Sequence, residues 1–543
     1  MNLLYLAQSG LSAAQGALNV VGNNLTNAVT PDYSRQNIML GEAGGKSTNY
    51  GFFGYGVRVE DVQRAYDGFI SNQVRGATTT FSALQSRYQQ ASQIDDMLGD
   101  STNNISTSLD NLFKAMESVS KDPVDPAARQ GVLGQFNAIA NQFRTNSKTL
   151  NGLEKSTNTQ IKQTVNDINS YTRQLAALNA QIEKVHGQTG GMPADLLDRR
   201  DQLMGKLSEQ IGIKVSENSA TGHVNVSLEN GMSLVSGSKS YQLQANVSSA
   251  NPNKTVVSYI DASGNALRLD EDKTTGKLGG LFKFRNIDLV DARNRLDQMA
   301  LQMANTFNEV NAAGYTHSGD AGGDIFSVSK PQAIANTGNT GDAELEVTRD
   351  KIPDVRAENY IVTYTSSGWE VKTSDGRKIQ PTVGSNGELA FEGITITPKG
   401  NANAGDSFTL NPASGAAESI KVAITDGDQI AASSSPDSDE QSNNENILAM
   451  IAIKDAKVVG DMTLTGAYAS LVSSVGSSVS AQKGDLTTAE KVYEQWSLQQ
   501  QSVSGVDINE EYVNLQMFSQ YYQANAQVLQ TAVSIFDTIL SIR

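Results

Sequence analysis

Both ends of the chain carry the same hydrophobic period. From Leu4 the apolar positions run Leu4, Ala7, Leu11, Ala14, Leu18, Val21 and Leu25, in alternating steps of three and four. At the other end Ile508, Tyr512, Leu515, Ser519, Tyr522, Ala526, Leu529, Val533, Phe536 and Leu540 keep the same alternation, broken only by Ser519. That spacing draws one apolar stripe along an α-helix and is the seam of a coiled coil. The first seam predicts a helix roughly 33 Å long at about 1.5 Å per residue. Its flanks, Gln8, Ser9, Ser12, Gln15 and Asn19, are polar but uncharged. No Gly or Pro interrupts 507–543, and Asp507 followed by Glu510 reads as an N-cap with its capping-box partner. Chain ends ordinarily fray, so matched seams at both termini predict helices that pair with each other or with neighbouring subunits.

Between the ends the period alternates between helix and strand. Helical spacing covers Ala77–Leu98 and Ile105–Val119; Asp125-Pro126 then suits an N-cap and first helical position, opening a long helix to about Gly187. Further helices are expected over Ala292–Asn311 and roughly Asn444–Gln501, and the longest apolar run, Ile447–Ile453, fits a buried turn of the latter. Period-two alternation marks two β regions. In the first, Val224–Leu228 and Met232–Leu234 flank an Asn230-Gly231 hairpin turn. The second holds strands at Tyr360–Tyr364, Trp369–Thr373, Leu389–Phe391, Ile394–Ile396, Phe408–Leu410 and Ile420–Ile424, with turns at Ser367-Gly368 and Asp375-Gly376. The order helix, β, helix, β, helix gives a multidomain α+β chain. A discontinuous helical coiled-coil or bundle shaft comes from both chain halves, with two inserted all-β domains projecting from it. The expected divisions are terminal axial helices at 1–60 and 502–543; a shaft at 61–205, 281–335 and 441–501; β domains at 206–280 and 336–430; and a linker at 431–440.

Chemistry has little to stand on. The chain has no cysteine and three histidines, which removes disulfides, thiolate metal sites and cysteine nucleophiles. A net charge of -16 argues against nucleic acid, which needs a clustered basic face. No run approaches the roughly 20 apolar residues of a membrane span, and no cleavable signal is evident at the N-terminus. Gly51-Phe-Phe-Gly-Tyr-Gly56 reads as a turn rather than a dinucleotide loop, and His317, Asp320 and Asp324 as a polar loop. Asp270-Glu-Asp272 lacks the sixth-position Gly of a calcium loop, and no GxSxG elbow occurs. The carboxylate pairs Asp95-Asp96 and Glu510-Glu511 read as solvated helix faces. The expectation is no enzyme, no catalytic residue, no cofactor and no metal.

Several segments carry a resemblance. Asn23-Asn24-Leu-Thr-Asn27-Ala-Val-Thr-Pro31-Asp-Tyr33-Ser-Arg35 resembles the N-terminal signature of the bacterial flagellar rod, hook and hook-junction axial proteins. Asp32 departs from the usual Gly, at a turn where a left-handed residue is expected and Asp is tolerated. Tyr521–Ala532 and Phe536–Arg543 resemble the matching C-terminal signature. Leu196–Leu203, Leu278–Arg285 and Ser502–Tyr512 look most like the hook–filament junction members. Flagellin is less similar, lacking the Asn-Asn…Tyr motif.

The resemblance implies a structural, secreted component of the flagellum, part of its assembly and of cell motility. Subunits would form a homo-oligomeric ring, with hook protein proximally and a second hook–filament junction protein distally. The chain would leave the cytoplasm through the flagellar type III system without a cleaved signal. A flagellar export chaperone would bind its C-terminal region. Leu4, Leu11, Leu18, Val21, Leu25, Ile508, Leu515, Tyr522, Leu529, Phe536 and Leu540 are the expected subunit-packing residues. Leu515, Tyr522, Leu529 and Phe536 are the chaperone-binding candidates. The alternatives are a hook or distal rod protein, or a secreted adhesin or enzyme with coiled-coil ends.

Overall fold

A computed structural model describes residues 2–49, 51–100, 104–218, 221–385, 387–437 and 442–541. The end of the expected linker, 438–440, and the last two residues of the C-terminal signature lie outside them. The helices are α1 (Asn2–Asn27), α2 (Gly68–Leu98), α3 (Ile105–Lys121), α4 (Pro126–Thr189), α5 (Ala194–Gln210), α6 (Gly276–Lys283), α7 (Leu289–Ala312), α8 (Ala416–Ser419), α9 (Glu445–Ala452), α10 (Leu464–Ser504) and α11 (Ile508–Ser541). None is long and apolar enough to cross a membrane. Helix α4, of 64 residues, starts as its sequence dictates: Asp125 accepts the Ala127 N–H and Pro126 occupies the first turn. It stops at Gly190, whose φ of 73° is the left-handed cap that Gly adopts without strain.

The shaft joins distant parts of the chain. Helix α10 lies along α2, and their far end is closed by Trp496 edge-on to Phe69 and by Tyr493 stacked on Phe81, with centroids 6.2 and 5.8 Å apart. At the other end α3, α4, α7 and α9 enclose Phe113, Phe136 and Phe307 with Phe326. Phe136 sits edge-on to both Phe307 (5.6 Å) and Phe326 (5.3 Å), a favourable aromatic geometry. The result is a mixed α+β chain whose helical body draws on both halves, with inserted β-sheet regions.

The first β region lies along the shaft and shares its core with α4, α5 and α6. Its sheets are Ile213–Glu217, Val224–Leu228, Ser233–Ser236 and Lys239–Ser240, then Gln242–Val247, Thr255–Ile260 and Ala266–Arg268. Asparagines on α4 act as extra strand residues. Asn179 accepts the Val224 N–H and donates to its carbonyl, and Asn169 does the same at Leu243. Asn158 accepts from Thr255 and donates to Asn253. Each clamp satisfies backbone groups that the sheet leaves open against a helix.

The second β region holds two antiparallel sheets that meet at Tyr360 and Phe391, rings 5.3 Å apart. It is tied to α7 by Gln298 and Gln302, which donate to Val355 and Ile352, and by Asp297, which accepts from Gly415 and Ala417. Burial pushes the Asp297 carboxyl up to about 6 despite those two donors.

Four features differ from the sequence expectation. Lys421–Val422 pairs with Phe326–Ser327 beside the helical core instead of joining the second β region. The loop between Tyr360–Thr365 and Gly368–Thr373 is Ser366-Ser367, with Gly368 already in strand register. Ala431 and Ala432, read as the start of a linker, are buried, and Ser433 pairs with Tyr315. Residues 36–60, expected to be part of the axial helices, form with 61–64 an antiparallel ribbon of Gln36–Glu42 with Val57–Arg64, tipped by Gly45–Thr48 with Gly51–Gly54.

Candidate assembly site: the terminal helix pair and its polar node

Helices α1 and α11 pack together as an antiparallel pair. Asn24 meets Glu511, and Gly10 faces Asn525, so moving two heptads back along one helix moves two heptads forward along the other. On α1 the face buried against α11 and the ribbon is mostly small: Ala7, Ala13, Ala14, Ala17 and Val21. Gly10 allows the closest approach, since a Cβ there would run into the Asn525 amide. The ribbon covers another side of α1: Ile38 and Val59 close over Gly16, and Ser9 accepts the Val57 N–H.

Helix α11 is covered on one side only. Among its described residues just Glu511 and Ala532 are buried; Leu515, Ser519, Ala526 and Leu529 are half-buried. Ile508, Tyr512, Tyr522, Val533, Phe536 and Leu540 of the expected seam are exposed, Phe536 by 48% and Leu540 by 57%. A second apolar stripe, Val513, Met517, Tyr521, Val528, Ile535 and Ile539, is exposed as well. Of the α1 seam Ala7, Ala14 and Val21 are buried, and Leu4, Leu11, Leu18 and Leu25 are half-buried. By the register that Asn24 and Gly10 define, α11 also outruns α1: residues 534–541 have no α1 residue opposite them.

The signature segment after α1 builds a polar node that holds this pair to the shaft. Asn27 accepts from Thr30 and donates to Asn23, closing the end of α1, and Pro31 leads out on the surface. Asp32 is left-handed, with φ at 61°, as its place in the motif led us to expect, and it accepts from Gln202 of α5. The chain then folds back so that Asn24 clamps Gln36, accepting its N–H at 2.9 Å and donating to its carbonyl at 2.8 Å. Asn24 also accepts from the Tyr33 hydroxyl (2.8 Å) and donates to Glu511 (3.1 Å). Arg35 reaches both acids of α11, Glu511 at 2.8 Å and Glu510 at 3.0 Å. Burial alone would lower the Arg35 guanidinium; its hydrogen bonds and charge pairing with those two acids more than offset this and raise it. Burial, then the charges of Asp198 and Glu511, push the Tyr33 phenol up to about 12.

The node continues into the shaft. Arg64, at the foot of the ribbon, pairs with Asp198 (3.0 Å) and Asp201 (2.6 Å) of α5, and Asp198 also accepts the Ser34 N–H. The Arg35 backbone accepts from Ala65 and donates to Ser504 at the end of α10. Sequence reasoning missed this role of the acids. Asp507 does cap α11 through Asn509 and Glu510, but the Glu510 side chain pairs with Arg35. Glu511, read as half of a solvated pair, is 1% exposed. The signal available was Arg35, the first basic residue of a chain whose first 31 residues carry no charged side chain.

No cluster of metal-ligating side chains occurs among the described residues. The clefts are shallow; one of about 490 Å³ lies between Tyr5 and Tyr55, bordered by Gln8, Ser9 and Ser12. The arrangement offers surfaces for packing.

Comparison with known proteins agrees along the whole chain. A family model described as the flagellar hook-associated protein FlgK helical domain matches residues 91–326, and one for the hook-associated protein 1 D2-like domain matches 334–412. The flagella basal body rod protein model matches 4–33, and the flagellar basal body rod FlgEFG protein C-terminal model matches 499–542. Flagellar hook-associated protein 1 of Escherichia coli is 41% identical, covering all of both chains. Its counterpart in Salmonella typhimurium is also 41% identical at full coverage. The solved flagellar hook junction protein of Burkholderia pseudomallei is 25% identical and superposes with a TM-score of 0.73, covering 80% of this chain and all of that one. On identity of that extent over its full length, the chain belongs to the flagellar hook-associated protein 1 family, structural components of the hook–filament junction.

Proposed function

We propose that the chain works as one subunit of a homo-oligomeric ring, with α1 and α11 packed against the same helices of neighbouring copies in an inner tube. Hook protein lies proximally and the second hook–filament junction protein distally. The observation that carries this reading is the surface of α11. A helix whose apolar surface is wider than the stripe its partner covers has more to bury. Helix α11 carries exposed apolar residues outside the side that α1 covers, Val513, Met517, Tyr521, Val528, Ile535 and Ile539 among them, and its remaining stripe, Gln516, Gln520, Gln523, Gln527 and Gln530, is polar but uncharged. No charged residue occurs between 512 and 536, so association buries no unpaired charge there. A chain of net charge -16 repels its own copies elsewhere, which leaves α1 and the uncharged stretch 512–536 as the adhesive surfaces.

Leu515, Tyr522, Leu529 and Phe536 serve twice in this reading. An export chaperone covers them in the cytoplasm as an amphipathic helix is held in a groove, and later subunits replace it. Export proceeds through the flagellar type III system. An isolated pair of helices with so little buried area gains most of its order on assembly. Amide exchange tests this. The free chain should exchange rapidly over 2–27 and 508–541, and both segments should slow by orders of magnitude in assembled junctions. Strong protection at Leu11 and Leu529 in the free chain would refute ordering on assembly; unchanged exchange in the junction would place the interface elsewhere.

A further inference from the structure

The contacts between α1 and α11 pose a problem of register. Helix α1 carries no charged residue, and the side it turns to α11 is mostly alanine and leucine. Helix α11 carries none between 512 and 536. Apolar seams that repeat every three or four residues pack nearly as well after sliding by a heptad, so hydrophobic contact alone leaves several alignments close in energy. Buried polar residues are the best attested means of choosing among such alignments. One position in the pair has that character: Glu511, with one oxygen on Arg35 and the other on Asn24. A second constraint is steric: the half-buried Asn525 has its amide where a Cβ at Gly10 would be.

We infer that Glu511 and Asn525 are the register determinants of the terminal helix pair. The two lie two heptads apart on α11, and their counterparts Asn24 and Gly10 lie two heptads apart on α1. A one-heptad slide breaks both at once. Glu511 would then face Ala17 or Pro31, leaving a desolvated carboxylate without its donors. Asn525 would face Leu3 or Ala17, where a side chain occupies the space that Gly10 leaves open. Arg35 is fixed to the shaft side through Ala65 and Ser504, so the key also sets how far α11 extends beyond α1. This inference deepens the assembly reading and rests on it: copies that pack side by side need every overhang to be the same length.

The chain has no cysteine, so paired cysteines report register without background. Val21→Cys with Asn514→Cys places thiols opposite each other in the observed register. Val21→Cys with Tyr521→Cys does so after a slide of one heptad. In assembled junctions under mild oxidation, the first pair should cross-link at least tenfold more than the second. Adding Glu511→Leu should bring the two yields within about threefold, and Glu511→Gln, whose single carbonyl oxygen keeps one of the two acceptor positions, should give a preference between those limits. An unchanged tenfold preference with Glu511→Leu overturns the inference. If that variant never reaches the junction, the exchange Arg35→Glu with Glu511→Arg decides: restored incorporation and preference support the key, and failure to restore either overturns it. Native cross-linking in a chain that attaches no filaments would fault the assembly reading and leave the register key standing.

Discussion

Phe536→Asp should leave the folded chain unchanged and reduce its incorporation at the junction more than a hundredfold. Phe536 is 48% exposed and lies in the part of α11 that has no α1 residue opposite it. Among the described residues it stacks on no other aromatic ring, and about half of it is already open, so the single chain loses little packing. In the ring proposed above the same side chain would be covered by a neighbour. Removing a phenylalanine-sized apolar contact costs about 1.5–3 kcal/mol, and an aspartate placed in that contact adds about 1–3 kcal/mol or more for its unpaired desolvation. The loss recurs at every copy of a closed ring. The check is a pair of measurements: a denaturant midpoint equal to that of the unsubstituted chain, and the amount of chain recovered with isolated hooks. A shifted midpoint with normal recovery would mean that Phe536 serves the monomer and not the assembly.

Phe136→Ala should have the reverse character. Phe136 is fully buried and contacts both Phe307 and Phe326, so it links α4 to α7 and to the strand Phe326–Ser327. Truncating a buried phenylalanine typically costs about 3–5 kcal/mol through lost transfer energy and the cavity left behind. Denaturation of the helical body should shift to lower denaturant by that amount with an unchanged slope. Exchange over α3, α4 and α7 should accelerate together, and the terminal helices should not respond. A loss below about 1 kcal/mol would show that the aromatic cluster is not the centre of the shaft core.

The two substitutions separate what the sequence made visible from what it did not. Elements governed by local chemistry were legible. Asp125-Pro126 starts α4, Asn230-Gly231 turns the first hairpin with Gly231 at a φ of 91°, and Asp32 takes the left-handed turn. Features set by distant partners were not. The ribbon at 36–64 is half-exposed on both faces and rests on Gly16, so its apolar period is diluted. Thr255–Ile260 is buried on nearly every residue and shows no alternation. Val422 was placed with the second β region because its strand pattern says nothing about its partner, Phe326.

The assembly site divides along the same line. The seams and the Asn24, Tyr33 and Arg35 signature were visible as patterns, but an apolar period says nothing of Glu511. It is a charge next to a helix cap, where a local reading assigns acids to solvent or to the capping box. Only the fold brings residues 24, 35 and 511 together.

If the terminal helices, and α11 above all, are the working parts of this structural component, deleting residues 507–543 should leave the shaft and β regions folded while the chain is absent from the junction and filaments do not attach, with chain and attached filaments counted on isolated hooks. Filaments attached at normal number to junctions filled with the shortened chain would show that the working surfaces lie elsewhere.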